Sequence, residues 1–183
     1  MIRSILASLL FAAVMPAAPR PSPNFVVHLT PSGQVTPTQY KGKVVILAMI
    51  QTTCPHCQHS TQLLSGLQRE YGPRGLQVMA AAFETGVTPM VVAQFIKQFQ
   101  PAFPVGYTDR TEVLNYLGIG PQEQMYVPIM VFIDRKGMIR HQYLGDDPFF
   151  MSQEKNLRET IEGLLKEPAA ARKAAPVTKK KDS

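Results

Sequence analysis

The stretch Val44–Cys57, VVILAMIQTTCPHC, decides both the fold and the chemistry that the chain can support. Its first seven residues, Val44–Ile50, are apolar without a break, which is typical of a strand buried on both faces of a sheet. Cys54 and Cys57 follow closely, and they are the only cysteines in the chain. Two cysteines with this spacing, at the junction of a strand and a helix, indicate a pair that can close a disulfide and reopen it.

The residues after Cys54 have a helical pattern that ends at Gly72-Pro73, where a helix typically stops. Cys57 shares one helical stripe with three large side chains at intervals of seven, three and four residues, which are Leu64, Leu67 and Tyr71. Such a stripe packs against the core, so we expect Cys57 to be buried.

Cys54 is expected at the start of this helix, where free backbone N–H groups and the helix dipole favour the thiolate. Pro55 suits the first helical position, because its missing N–H is not needed there. His56, when charged, would stabilise the thiolate further. The sequence therefore predicts Cys54 as the attacking nucleophile and Cys57 as the resolving thiol, with Pro55 and His56 modulating them.

The periodic signal covers residues 24–166, long enough for one domain with a sizeable core. The predicted order is strand, helix, strand, helix, strand, short helix, hairpin and helix. The hairpin consists of Ile129–Ile133 and Met138–Leu144 around an Asp-Arg-Lys-Gly turn. This order predicts an α/β fold with a central mixed β-sheet flanked by helices.

The N-terminal residues 1–18 read as a signal peptide or an N-terminal anchor, with the apolar stretch following a single arginine. The Pro-rich residues 19–23 read as a linker. Either interpretation predicts an exported protein, periplasmic or extracytoplasmic, which residues 2–18 would tether to the membrane if they are not cleaved. A disulfide that spans two residues closes too short a loop to stabilise a fold much, so export does not make this pair structural.

Residues 167–183 read as a disordered basic tail, rich in Ala, Pro and Lys. From Lys166 onward there are six basic and two acidic residues, so this end carries +4 of the net charge of +6. The basic charge is therefore a property of the tail, and we expect no nucleic-acid partner for the domain.

The domain resembles the TlpA/ResA-like thiol–disulfide oxidoreductases, the extracytoplasmic branch of the thioredoxin family. The resemblance rests on YKGKVV at residues 40–45, the C-P-H-C pair, RGLQV at 74–78, FPV at 103–105, and VP at 127–128 before an apolar strand. It implies a thioredoxin-like fold, a cis bond before Pro128, and an extended substrate that pairs with the backbone of Val127. Thr53, which stands where the family usually has tryptophan, is assigned to the same substrate site.

The resemblance also implies protein thiol and disulfide substrates and an electron donor or acceptor in the membrane. We expect no cofactor and a monomeric protein. The family often places an acidic residue beneath the disulfide or just after its second cysteine. Ala48 and Ser60 stand at those positions here. The overall pattern is that of the family's reductases, so a reductase is favoured. The Pro-His pair also occurs in DsbA-like oxidases, so an oxidase or isomerase remains open.

Two other functions use the same residues. The first is a copper-binding chaperone or assembly factor, which is not an enzyme and would hold the metal with the two thiols. On an ideal helix His59 lies too far around from Cys57 for all four Cys and His side chains to reach one ion, so we assign no metal site. The second is a peroxiredoxin-like peroxidase, which needs a threonine where Gln51 stands.

Overall fold

The computed structural model describes residues 19–168. The predicted signal peptide or anchor, and all but two residues of the predicted tail, lie outside this range. Among the described residues, no helix has the length and apolar character needed to cross a bilayer.

The secondary structure consists of eight strands and four α-helices in the described range. The strands are β1 Arg20–Pro21, β2 Val27–Leu29, β3 Gln34–Val35, β4 Val44–Ile50, β5 Leu76–Ala82, β6 Val105–Tyr107, β7 Ile129–Ile133 and β8 Met138–Tyr143. The helices are α1 Pro55–Tyr71, α2 Pro89–Phe99, α3 Arg110–Leu117 and α4 Gln153–Lys166. Short 3₁₀ turns cover Pro37–Tyr40, Gly72–Arg74 and Pro148–Ser152.

All eight strands form one sheet in the order β1-β8-β7-β4-β5-β6-β2-β3. Strand β4 pairs in parallel with β5, where Ile50 faces Ala82, and antiparallel with β7, where Met49 faces Ile129. The sheet is therefore mixed, and the predicted α/β, thioredoxin-like architecture is confirmed. The carboxyl ends of β4 and β5 meet at one edge, which carries the cysteine pair.

The two faces of the sheet have separate cores because successive residues of β4 point to opposite sides. Ile46, Ala48 and Ile50 pack with apolar residues of α1, α2 and α4. Val45 and Leu47 pack with α3 and with the segment around β2. Every residue of β4 is buried, as the unbroken apolar run predicts.

The interpretation of residues 19–23 as a linker differs from the structure. Strand β1 pairs antiparallel with β8, and the Arg20 side chain donates hydrogen bonds of 3.0 Å to the Tyr116 carbonyl and to Gln142 Oε1. A proline tolerates this edge position because one side of an edge strand needs no donor. Glu167, assigned to the tail, is likewise held by a 2.6 Å ion pair with Arg140.

Candidate active site

Cys54 lies at the N-terminus of α1, in extended backbone with φ −78° and ψ 120°, and caps the helix with its own sulfur. The backbone N–H of Cys57 donates to Cys54 Sγ over 3.4 Å. The side chain is partly exposed, so a second sulfur can approach it from solvent. Sulfur accepts a hydrogen bond better as a thiolate, and the helix terminus adds a favourable field.

Cys57 lies one turn further along α1 and is completely buried against the core beneath the sheet edge. Burial raises the pKa of its thiol well above the usual range because the thiolate would lose its hydration. A backbone hydrogen bond with Gln51 lowers this pKa in part, whereas charge on Cys54 or Glu84 raises it. Both cysteines are free thiols. The pair thus consists of one accessible sulfur and one protected sulfur.

The residues next to the two cysteines in sequence lie at the start of α1 and in the turn before it. Pro55 occupies the first turn of α1. Pro55, His56 and Thr53 are all exposed, with Thr53 in the turn before Cys54.

The segment Val127-Pro128 lies at the same edge, directly before β7. Its peptide bond is cis. Because Met49 pairs with Ile129, this segment stands beside the end of β4 that leads to Cys54. Gly145 packs against it so closely that an added Cβ would lie 2.7 Å from the carbonyl carbon of Val127. The N–H of Gly145 also donates to the Tyr126 carbonyl over 2.9 Å.

A groove of about 490 Å³ runs beside the cysteine pair, between the start of α1, the Val127-Pro128 segment and the region before α4. Its apolar lining includes Leu63, Phe150 and Met151, and Met151 is 88% exposed. Its charged lining consists of acidic and histidine side chains, which are Asp146, Asp147, Glu154, His56 and His59. The Gln153 side chain bridges two walls of the groove by donating to Ser60 Oγ over 2.7 Å.

Glu84 is a candidate functional residue that the sequence reasoning did not identify. It follows β5 and accepts hydrogen bonds at Oε1 from the Thr52 backbone, over 3.0 Å, and from the Thr52 hydroxyl. Its other oxygen, Oε2, is buried and has no hydrogen-bond partner among residues 19–168. Parallel pairing of β4 and β5 brings it to the cysteine edge, although 27 positions separate it from Cys57. The family resemblance leads one to expect the acidic residue at the position of Ala48 or of Ser60, both of which lie nearer to the cysteines in sequence.

Two histidines, His56 and His59, lie beside the cysteine pair on α1, and both are exposed. Within residues 19–168, no three or more His, Cys, Asp and Glu side chains converge as ligands for one ion. The arrangement of a partly exposed sulfur above a buried one suits thiol–disulfide exchange, in which one thiol attacks and the other resolves.

Comparison with known proteins agrees with this arrangement. The Redoxin family model matches residues 17–161, which include both cysteines and Pro128. The chain belongs to the Redoxin family.

Its relatives are named Thiol-disulfide oxidoreductase ResA. The protein from Bacillus thuringiensis (strain Al Hakam) is 26% identical over 145 residues, which cover 79% of this chain and 75% of that relative. The protein from Oceanobacillus iheyensis is 31% identical over 105 residues, which cover 57% and 51%. The predicted ResA-like membership is confirmed, and this Redoxin-family chain is a thioredoxin-like thiol–disulfide oxidoreductase.

Solved structures show the same fold. A thiol:disulfide interchange protein of the thioredoxin family from Chlorobium tepidum TLS superposes with a TM-score of 0.65 at 19% identity, covering 81% of this chain and 98% of that one. The thioredoxin domain of a thiol-disulfide oxidoreductase from Bacteroides vulgatus gives 0.61 at 16% identity, covering 79% and 95%. At these identities the likeness establishes the architecture of the sheet and helices.

Proposed function

We propose that this protein is an extracytoplasmic reductase of protein disulfides, with Cys54 as the nucleophile and Cys57 as the resolving thiol. The observation that carries the proposal is the contrast in burial: Cys54 is partly exposed at a helix N-terminus, whereas Cys57 is buried one turn away. A sulfur that attacks a protein disulfide must be reached from solvent. A sulfur that only resolves the product must be kept from reacting with other molecules.

The exchange proceeds in two displacements. The Cys54 thiolate attacks one sulfur of the substrate disulfide, a mixed disulfide forms, and the other substrate sulfur leaves as a thiolate that takes up a proton. Cys57 then loses its proton and attacks Cys54 Sγ, which releases the second substrate sulfur. The substrate gains two electrons, and Cys54 and Cys57 end as a disulfide.

The substrate site is assigned to Val127, Pro128 and Thr53 around the pair. Val127 is half-buried, and an extended peptide that pairs with its backbone as a further strand aligns its disulfide with Cys54. The apolar lining of the adjoining groove suits an aliphatic or aromatic side chain of the same peptide. Pro55 fixes the first turn of α1, and His56 adds a positive charge near the sulfurs when it is protonated.

The burial of Cys57 supports the reductase direction, because burial raises the pKa of its thiol and so disfavours the reduced, ionised pair relative to the neutral disulfide. A reductase must be reduced again after each turnover, and we assign this to a dithiol protein in the membrane. The site of action outside the cytoplasm agrees with the apolar N-terminal stretch of the sequence.

Serine variants of Cys54 and Cys57 test the mechanism, because each is expected to stop the exchange at a different step. Cys54→Ser is expected to abolish the reduction of insulin disulfides, because no other sulfur can attack. Cys57→Ser is expected to accumulate a mixed disulfide with the substrate, which mass spectrometry detects. Wild-type turnover in both variants would refute the mechanism.

A reduction potential nearer to the roughly −270 mV of thioredoxin than to the roughly −120 mV of DsbA supports the reductase direction.

A further inference from the structure

The carboxylate of Glu84 has hydrogen bonds to one of its two oxygens and lies at the edge of the sheet that carries the cysteine pair. Oε1 accepts two hydrogen bonds from Thr52, whereas Oε2 is shielded from solvent and has no partner among the described residues. A buried carboxylate oxygen without a donor costs free energy, so its retention calls for an explanation.

The position of this carboxylate is fixed by the same turn that carries Cys54. Ile50 pairs with Ala82, and the N–H of Phe83 donates to the Ile50 carbonyl over 3.2 Å, so the two strands are held together up to the residue before Glu84. On the other side of Thr52, its carbonyl accepts a 2.9 Å hydrogen bond from Gln58 of α1. The charge is therefore held at one place relative to the start of α1.

We propose that Glu84 is a positioning residue whose negative charge disfavours thiolates in the Cys54–Cys57 pair and thereby makes the protein a stronger reductant. This inference rests on the proposed function, because it assigns the residue that sets the direction of that reaction. The charge lies at the edge of the sheet that carries both sulfurs, and its buried oxygen is shielded from the water that would otherwise screen it.

The redox balance gives the sign of the effect. Reducing the disulfide takes two electrons and two protons to give two thiols, or one proton fewer when one sulfur stays a thiolate. A nearby carboxylate leaves the neutral disulfide unaffected and destabilises the thiolate. It therefore shifts the equilibrium toward the disulfide, and the protein gives up electrons more readily. The shift vanishes at a pH at which both sulfurs are protonated and grows as pH rises.

Other charged groups lie around Glu84 and the pair. Asp109, Arg110 and Glu112 line a cavity of about 340 Å³ together with Glu84, and His56 precedes Cys57 on α1. Since Glu112 is exposed on this cavity, it provides a matched control for the loss of one negative charge in the same region.

The test is the equilibrium of the pair with glutathione at pH 6.5 and pH 9, for variants whose folding is verified by circular dichroism. Glu84→Gln keeps an acceptor for Thr52 but removes the charge. We expect it to favour the dithiol about tenfold, or about 30 mV, at pH 9 and clearly less at pH 6.5. Glu84→Asp, which keeps the charge, and Glu112→Gln are expected to stay within about threefold of the wild type.

Three results would overturn the inference: equal shifts at both pH values, equal shifts for Gln and Asp at position 84, or a shift as large for Glu112→Gln. If Glu84→Gln does not fold, Thr52→Val releases the carboxylate from its anchor, and a smaller pH-dependent shift in the same direction is expected. No pH-dependent shift in that variant would count against the proposal. These results are independent of Cys54→Ser, whose full activity would refute the proposed function itself.

Discussion

Two carboxylates, Asp134 and Glu84, occupy opposite ends of the same sheet and differ in how they are satisfied. Asp134 is buried in the turn after β7, and its Oδ1 accepts hydrogen bonds from the N–H groups of Lys136, over 2.8 Å, and Met138, over 3.0 Å. Its Oδ2 pairs with Arg140 at 3.3 Å. In the part of the chain that the structure describes, Glu84 has hydrogen-bond donors on one of its two oxygens. The carboxylate of Asp134 therefore stabilises a turn, whereas the carboxylate of Glu84 keeps one oxygen whose charge can act on the nearby cysteines.

The difference arises from which acceptors the nearby backbone N–H groups bind. The turn that contains Asp134 directs two N–H groups at the carboxylate, which is the usual way for a short acidic side chain to fix a tight turn. At the cysteine end, the N–H of Cys57 points to Cys54 Sγ, and only Thr52 serves the carboxylate. The N–H of Cys57 is thus directed at sulfur, and Glu84 Oε2 has no donor within residues 19–168.

The largest expected effect is a loss of stability when the carboxylate of Asp134 is removed. Asp134→Ala leaves the N–H groups of Lys136 and Met138 without their acceptor and Arg140 with Glu167 as its remaining ion-pair partner, so we expect a loss of about 3 kcal/mol in the free energy of unfolding. Disulfide-reductase activity below the melting temperature should stay near the wild-type value. Urea denaturation measures the first quantity and the insulin assay the second. A matching loss for Glu84→Gln, rather than a loss within about 1 kcal/mol, would show that both carboxylates are structural.

The next effect concerns the geometry of the cysteine end. Gly145→Ala would place a methyl group 2.7 Å from the Val127 carbonyl, so the substrate-binding backbone must move. We expect kcat/KM for insulin disulfides to fall about tenfold, mostly through KM, because a displaced segment aligns an added strand poorly.

Gly163 in α4 is the matched control for this substitution. An added Cβ there meets nothing within 4 Å, and alanine favours helices, so Gly163→Ala should raise stability slightly and leave kcat/KM unchanged. Unaltered kinetics for Gly145→Ala would remove Val127 from the proposed substrate site.

The smallest effect follows from the raised pKa of Cys57. A raised pKa in the folded state means that stability is fully present below the ordinary cysteine pKa of about 8.5 and is lost as pH rises beyond it. The unfolded chain then ionises first. We expect the reduced wild type to lose about 1 kcal/mol more than reduced Cys57→Ala between pH 8.5 and 9.5. Parallel stability curves for the two proteins would mean that the pKa of Cys57 is ordinary.

Much of the fold could be predicted from local pattern. Strand β4 has the predicted bounds Val44–Ile50, and α1 ends at Tyr71, just before Gly72-Pro73. These elements are determined by an unbroken apolar run and by chain-breaking residues, both of which are visible in sequence. The burial of Cys57 also followed from helical spacing alone.

The remaining features depend on pairings between distant residues. Strand β1 reads as a linker because its two residues have no apolar periodicity, and its structure comes from pairing with β8. Glu84 cannot be linked to the cysteines by local pattern, because 27 positions separate it from Cys57. Parallel pairing of β4 with β5 places the residues that follow both strands at one edge, so the relevant signal was an acidic residue just after the second buried strand.

The hydrogen bond from the Cys57 N–H to Cys54 Sγ has a consequence for spectroscopy. The acceptor in this bond is the sulfur that changes its chemistry during turnover, since a thiolate accepts strongly and a disulfide sulfur weakly. The amide proton of Cys57 is buried with its residue and senses that change directly. Its NMR chemical shift therefore acts as a built-in reporter of the redox state, and no label has to be added near the active site.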